Sequence, residues 1–405
     1  MSKNNVFIIQ LNAVLLLLGY WLMHSVVTLA LGQSGRNFSI IYDAFQAAVS
    51  VYVLIICRKD FFVESGRSFL SFYSILLVLY SFRMFFDMGL GPFANVIPQS
   101  WFINDLLYTV VGTFLTVWAI IASRKWIDIN KVVTLVFWMG LVTTLAVIVN
   151  LRMQGLSTMY EDERMDAGQG LGTLALVKIG AILVFSAVHL LLNNKNLFVI
   201  KAIYIFGIII GGWLMLASGS RGGVVGTVLA FGVYFLASSR RNVFMIGLSI
   251  AAIVLVLINI VPILDWVSEY FPVFGQRMLN TILEDDQGSR DSIRAEAIRV
   301  TLEHPLFGYS YRLYPTPTGF RAHNGILEVF IALGIPIGLV FTYFVYVKGF
   351  IMAYKKMIDK RFFFPATFAV FALVSSFSSA SISNNVFCFA ICMLGCVYYY
   401  QRSEE

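Results

Sequence analysis

Runs of about 20 apolar residues, separated by short charged or Gly/Pro-containing breaks, recur from one end of the chain to the other, and that is the length an α-helix needs to cross a hydrocarbon layer about 30 Å thick. The period-two alternation of a membrane-barrel strand is absent. The pattern predicts an all-α polytopic membrane protein with about 12 transmembrane helices. They fall near residues 6–31, 40–57, 69–90, 105–123, 132–150, 173–192, 197–217, 222–238, 243–262, 324–347, 363–382 and 384–400. The first run, VFIIQLNAVLLLLGYWLMHSVVTLAL, is longer than a signal-peptide core of about 7 to 15 residues and lacks a small-residue cleavage site, so a retained helix is expected.

Composition agrees: of 405 residues, 59% are hydrophobic and only 13% charged, with a mean hydropathy of +0.81, outside the range of a soluble globular domain. Charge adds orientation. Short loops on one side carry Arg58, Lys59 and Arg67, then Arg124, Lys125 and Lys131, then Lys195 and Lys201, then Arg240 and Arg241, and finally Lys348 to Arg361. The opposite loops are poor in both cations, so both termini are expected in the cytoplasm. The net charge of +7 then reflects cytoplasmic loops facing anionic headgroups, and it argues for no nucleic-acid partner. The whole chain, 1–405, reads as a single membrane domain. One large periplasmic loop with short helices, 263–322, is inserted between helices nine and ten.

That loop contains Arg277, Arg290, Arg294, Arg299, Arg312 and Arg321 and no lysine. Planar bidentate donors suit phosphate, although for most of these arginines pairing with the carboxylates of the same segment, Asp265, Glu269, Glu284, Asp285, Asp286, Asp291, Glu296 and Glu303, is the favoured reading. GSRDSIRAEAIRVTLEHPLFGYS predicts a helix capped by Ser289 or Asp291 and ended before Pro305, with Arg290 and Arg294 on one face of its first turn. Cations at a helix N-terminus do nothing for the helix, but they prepare a place for an anion. LASGSRGGVVG sets Arg221 in a tight turn on the same side, and His323 and Asn324 open helix ten there. Arginines beside an imidazole disfavour its protonation, leaving the neutral form a general base requires. A helix-capping histidine and a snorkelling arginine are the structural alternatives.

Other polar positions read as structural. Cys388, Cys392 and Cys396 recur every fourth residue without a neighbouring His or carboxylate, and are expected to pack or face lipid. Arg83 and Asp87 are spaced to pair on one helix, and Asp43 and Glu328 are intramembrane carboxylates. The EDD at Glu284 to Asp286 reads as a solvated turn. SSFSSASISNN, from Ser375 to Asn385, reads either as an acceptor channel or as small-residue packing.

The motifs SGSRGG, then GSR followed by HPLFGYS, then HNGILEVFIALGIPIG, in that order over the C-terminal half, resemble the O-antigen ligases and O-antigen polymerases of bacterial envelope polysaccharide synthesis. The resemblance implies a GT-C-like membrane glycosyltransferase of the bacterial inner membrane. It would take a glycan from undecaprenyl diphosphate at the periplasmic face; a single displacement would make it inverting, and with no DxD-like acidic pair in the external loops the enzyme is expected to be metal-independent, with no cofactor. Arg221 and Arg290 would then bind the diphosphate and His323 would activate the acceptor hydroxyl. Two departures stand out: Arg294 occupies a position where the family often has Trp, making it a candidate second diphosphate ligand, and GYS replaces the usual GVG. Asn324 would orient the turn or the acceptor. The favoured reading is the polymerase, which takes another lipid-linked repeat unit as acceptor, and the resemblance then implies a chain-length-regulating copolymerase as partner; the alternative is the ligase, which takes lipid A-core. A lipid-linked oligosaccharide flippase is the alternative from another class, disfavoured because no internal repeat is visible.

Overall fold

The computed structural model describes residues 1–32, 36–58, 69–96, 98–153, 171–194, 197–239, 247, 255, 258–283, 290–313, 322–377 and 383–402. Nine helices among these are long and apolar enough to span a membrane. They are α1 (Lys3–Leu31), α2 (Arg36–Ile56), α3 (Phe69–Leu90), α4 (Gln99–Trp126), α5 (Ile129–Met153), α6 (Thr173–Asn193), α7 (Phe198–Ala217), α8 (Arg221–Ser239) and, later in the chain, α12 (Gly325–Lys356). Between α8 and α12 lie three short helices, α9 (Ile260–Tyr270), α10 (Pro272–Leu283) and α11 (Arg290–Glu303). Two further helices close the bundle, α13 (Phe363–Ser376) and α14 (Asn385–Arg402). Eleven of the twelve expected spans therefore coincide with helices; the remaining one, 243–262, falls almost wholly outside the described residues.

The centre of the bundle is α13. At 14 residues it is short for a span, but nearly all of it is buried, because α6, α8 and α14 surround it. Phe364, Phe368 and Phe371 stack down one side and meet Phe185 of α6 at 6.0 and 5.6 Å for the latter two rings. Gly180 and Gly211 bring α6 and α7 into backbone contact: a Cβ on Gly180 would come within 2.5 Å of the Gly211 carbonyl oxygen. Cys388, Cys392 and Cys396 are all buried in α14, so they pack rather than face lipid.

Hydrogen bonds sort the helix ends into two faces. On one, Gln10 donates to the Trp126 carbonyl at 2.8 Å, His189 meets Asn130 at 3.0 Å, and the Phe364 N–H donates to His189 Nδ1 at 3.3 Å. On the other lie the ends of α3, α7 and α13 and the starts of α4, α8 and α12, with the short helices α9 to α11. A polar cluster of Asn12, Gln46, Ser50 and Thr116 joins α1, α2 and α4 in between, with bonds of 2.9 to 3.0 Å.

Candidate functional site

The sequence places Arg221 in a turn, and the turn exists because Gly219 takes a left-handed φ of 65° and Ser220 N–H donates to Ser218 Oγ at 3.3 Å. Arg221 then opens α8 and reaches into α10, where its Nη1 donates to the Arg277 carbonyl at 3.0 Å and to the Thr281 hydroxyl. Arg277 reciprocates, donating from Nη1 to the Gly219 carbonyl at 2.9 Å. The following glycines serve helix packing: Gly223 fits against Val177 of α6 and Gly226 against Phe371 of α13. Beside the turn an apolar cleft of about 310 Å³ opens between Trp213, Leu216, Tyr270, Phe271, Val273 and Phe274.

The helix expected around Arg294 forms as α11 and ends at Glu303, before Pro305. Because it opens at Arg290, Asp291 lies inside the helix and is not its cap; the side chains of both, like Glu284 to Asp286, lie outside the described set. Ile293, Ala297 and Val300 form a stripe at helical spacing that packs on Ile331 of α12 and on Ala322. Arg294, next to that stripe, extends its Nη2 to 3.4 Å from the Phe377 carbonyl at the end of α13. Arg299 is taken up by Glu296 at 2.6 Å and Glu303 at 2.5 Å, so carboxylate pairing accounts for it. The bidentate contact also holds the Glu296 carboxyl below its ordinary range.

Asn324 is the N-cap of α12, its Oδ1 accepting from Ile326 and Leu327 N–H at 3.0 and 3.1 Å. Its Nδ2 donates at 3.4 Å to the same Phe377 carbonyl that Arg294 reaches. His323, one residue earlier, is exposed and carries the one left-handed non-glycine backbone among the described residues, with φ 48°. The other three histidines are in structural contacts: His24 with Ser39 at 3.0 Å, His189 with Asn130, and His304 stacked on Tyr309 at 4.8 Å.

What holds the start of α12 in place is a feature the sequence reading missed. Helix α12 is broken at Gly334, φ 82°, just before Pro336. The HPLFGYS segment supplies the backbone partners the break requires. Ile335 N–H donates to the Pro305 carbonyl at 2.7 Å, and Tyr309 N–H donates to the Ile331 carbonyl at 2.6 Å. A Cβ on Gly308 would meet the Ile331 carbonyl oxygen at 2.5 Å, and one on Gly334 would meet the Leu306 oxygen at 2.3 Å, so both positions need glycine. The segment is in turn tied to α3 and α4. Asp87 pairs with Arg83 at 2.9 Å, as the spacing predicts, and also accepts from Ser310 at 3.0 Å and Tyr311 N–H at 2.8 Å. Arg83 donates to the Phe307 carbonyl at 3.1 Å and to that of Tyr309. Arg312, buried at 3% exposure, pairs with Asp105 of α4, a partner no local spacing indicates.

These pieces meet around the C-terminal end of α13. Helix α8 runs antiparallel to it, with Gly226 at Phe371, so Arg221 and Phe377 end at similar height. Arg294 and Asn324 converge directly on Phe377, whereas Arg221 is bound to α10. Ser376 hydrogen-bonds Tyr346 at 2.7 Å and Asn385 accepts from Thr113 at 2.7 Å, so these two residues of the SSFSSASISNN stretch serve helix packing. Glu328 accepts from Tyr80 at 2.6 Å inside the bundle.

Residues 206–342, from α7 into α12, match the family described as O-antigen ligase, which bears out the resemblance seen in the motifs. No curated protein and no solved structure matches the chain.

Proposed function

We propose, taking the O-antigen ligase match as premise, that the chain is a glycosyltransferase that moves a glycan from a lipid diphosphate to an acceptor hydroxyl at the outer end of α13. The observation that carries the reading is the convergence of Arg294 and Asn324 on one carbonyl, with His323 adjacent and Arg221 at the same height. Arg221, Arg294 and Arg290 neutralise the charge that grows on the diphosphate as the anomeric C–O bond breaks. His323 takes the proton of the acceptor hydroxyl as its oxygen bonds to the anomeric carbon from the opposite face, so configuration inverts. The protein supplies this charge stabilisation from guanidinium groups, without a metal. The cleft lined by Trp213, Phe271 and Phe274 receives the first isoprene units of the donor.

The chain is one membrane domain in which the segment 263–322 faces the periplasm and both termini face the cytoplasm. The polymerase form is favoured over the ligase form, because among the described residues few features beyond the three motifs mark an acceptor site. Incubation of purified protein with undecaprenyl-diphosphate repeat units, with and without lipid A-core and with EDTA, separates the readings. A ladder of longer lipid-linked glycans without lipid A-core, surviving EDTA, is expected. Product that needs lipid A-core would make the chain a ligase. No transfer in either arm would remove the enzyme reading and return attention to a flippase.

A further inference from the structure

Lys178 lies five residues into α6, about 7.5 Å along the helix axis from its start. It is 6% exposed, amid Leu176, Val177 and Ile179, none above 1%. Among the described residues no carboxylate or hydrogen bond holds its ammonium group. A charge in that position is costly, and packing alone does not call for it, since a methionine of similar length fills the same space.

The direction of the side chain follows from the helical period. Residues 178, 185 and 189 share one stripe of α6. On that stripe His189 meets the Phe364 N–H at the start of α13, and Phe185 meets Phe368 and Phe371 further along. The two helices are antiparallel, so Lys178, two turns beyond Phe185, lies level with Ser375 to Phe377. Val177, the preceding residue, fills the space beside Gly223 in the first turn of α8, where a Cβ would come within 2.5 Å of it. By this register Lys178 stands level with the carbonyl end of α13 and the amide end of α8. Arg221 heads α8, and Arg294 reaches the same end of α13 from the loop side.

The carbonyl end of α13 attracts a cation, but the amide end of α8 and two guanidinium groups repel one. Three cations gathered at a helix N-terminus are reconciled by an anion among them. We propose that Lys178 binds the phosphate-bearing head of the lipid-linked substrate from the membrane side, completing a cradle whose other side is Arg221 and Arg294. The inference rests on the transferase reading above. A lysine suits the buried side of such a cradle: its three donors rotate about a point charge and need no fixed plane.

The test is Lys178→Met in lipid nanodiscs, with undecaprenyl diphosphate as the probe and undecaprenol and phosphatidylglycerol as controls, read by thermal unfolding and by transfer kinetics. The expected result is a pair of opposite changes. Without ligand the variant unfolds at higher temperature than the unchanged chain, because a buried unpaired charge is gone. With ligand its affinity for undecaprenyl diphosphate falls roughly tenfold or more, and KM for the lipid-linked donor rises in step. Lys178→Arg recovers part of the binding. If Lys178→Met unfolds at lower temperature and binds undecaprenyl diphosphate within twofold of the unchanged chain, Lys178 is a packing residue and the transferase reading stands without it. Equal, Lys178-dependent binding of phosphatidylglycerol would replace the substrate with an ordinary headgroup and overturn the assignment. An unchanged chain that neither binds undecaprenyl diphosphate nor transfers glycan would sink both proposals.

Discussion

His323 combines an exposed imidazole with a left-handed backbone that costs a non-glycine residue about 1–3 kcal/mol. A residue kept there for backbone reasons alone would be glycine. His323→Gly and His323→Ala are therefore both expected to lose transfer by roughly 10²- to 10⁴-fold. The glycine variant should unfold at the higher temperature of the two, since it alone relieves the strain. Near-normal transfer by either would end the general-base role. Asn324 separates two jobs in the same way: Asn324→Asp keeps the cap acceptor for Ile326 and Leu327, while Asn324→Ala loses it at about 1 kcal/mol of stability, measured by thermal unfolding. If the Nδ2 contact to Phe377 matters to catalysis, the aspartate variant is the one that stays folded and loses rate. Arg299, itself exposed and held by two carboxylates on its own helix, should tolerate Arg299→Ala with transfer unchanged.

At the scale of elements, the break in α12 and the HPLFGYS segment are one unit. Neither is stable in a membrane without the other, because the carbonyl of Ile331 and the N–H of Ile335 have lost their helical partners and each finds one in the segment. Gly308→Ala or Gly334→Ala forces a methyl group into a backbone atom at a positive φ, and either should cost about 1–3 kcal/mol and abolish transfer through the displaced start of α12. Asp87 anchors the unit from α3. Asp87→Ala leaves Arg83, Ser310 and the Tyr311 N–H without their acceptor and should cost about 3–5 kcal/mol in unfolding free energy, while Asp87→Asn, which keeps an acceptor for Ser310 and Tyr311 and loses only the charge, should cost less. If Asp87→Ala unfolded like the unchanged chain, Asp87 would not be the anchor. This unit was legible in part: the Arg83 and Asp87 spacing, the glycines and the position of Pro305 were all visible. What joins them is contact across more than two hundred residues of chain, as between Asp87 and Ser310, and no local period reports that.

The whole molecule was more legible than its site, for a physical reason. A bilayer demands about 20 apolar residues per crossing wherever the crossing falls, so hydrophobic runs alone locate the helices. Which helix becomes the centre is decided by packing, and α13, unremarkable in hydropathy, holds that place through its phenylalanines. The two-faced sorting of hydrogen bonds fixes which helix ends lie together, while sidedness rests on the distribution of lysine and arginine. The four cysteines are all buried, so a cysteine-free background is a mild change on which single cysteines can report. In intact cells, Gln276→Cys in α10 and Glu303→Cys in α11 should react with a membrane-impermeant maleimide, because both side chains are exposed on the face that carries His323. Lys125→Cys and Lys355→Cys, exposed at the far ends of α4 and α12, should react only after the inner membrane is opened. The reverse pattern would put the outer end of α13 in the cytoplasm, out of reach of a donor presented in the periplasm, and the proposed reaction would fail with it.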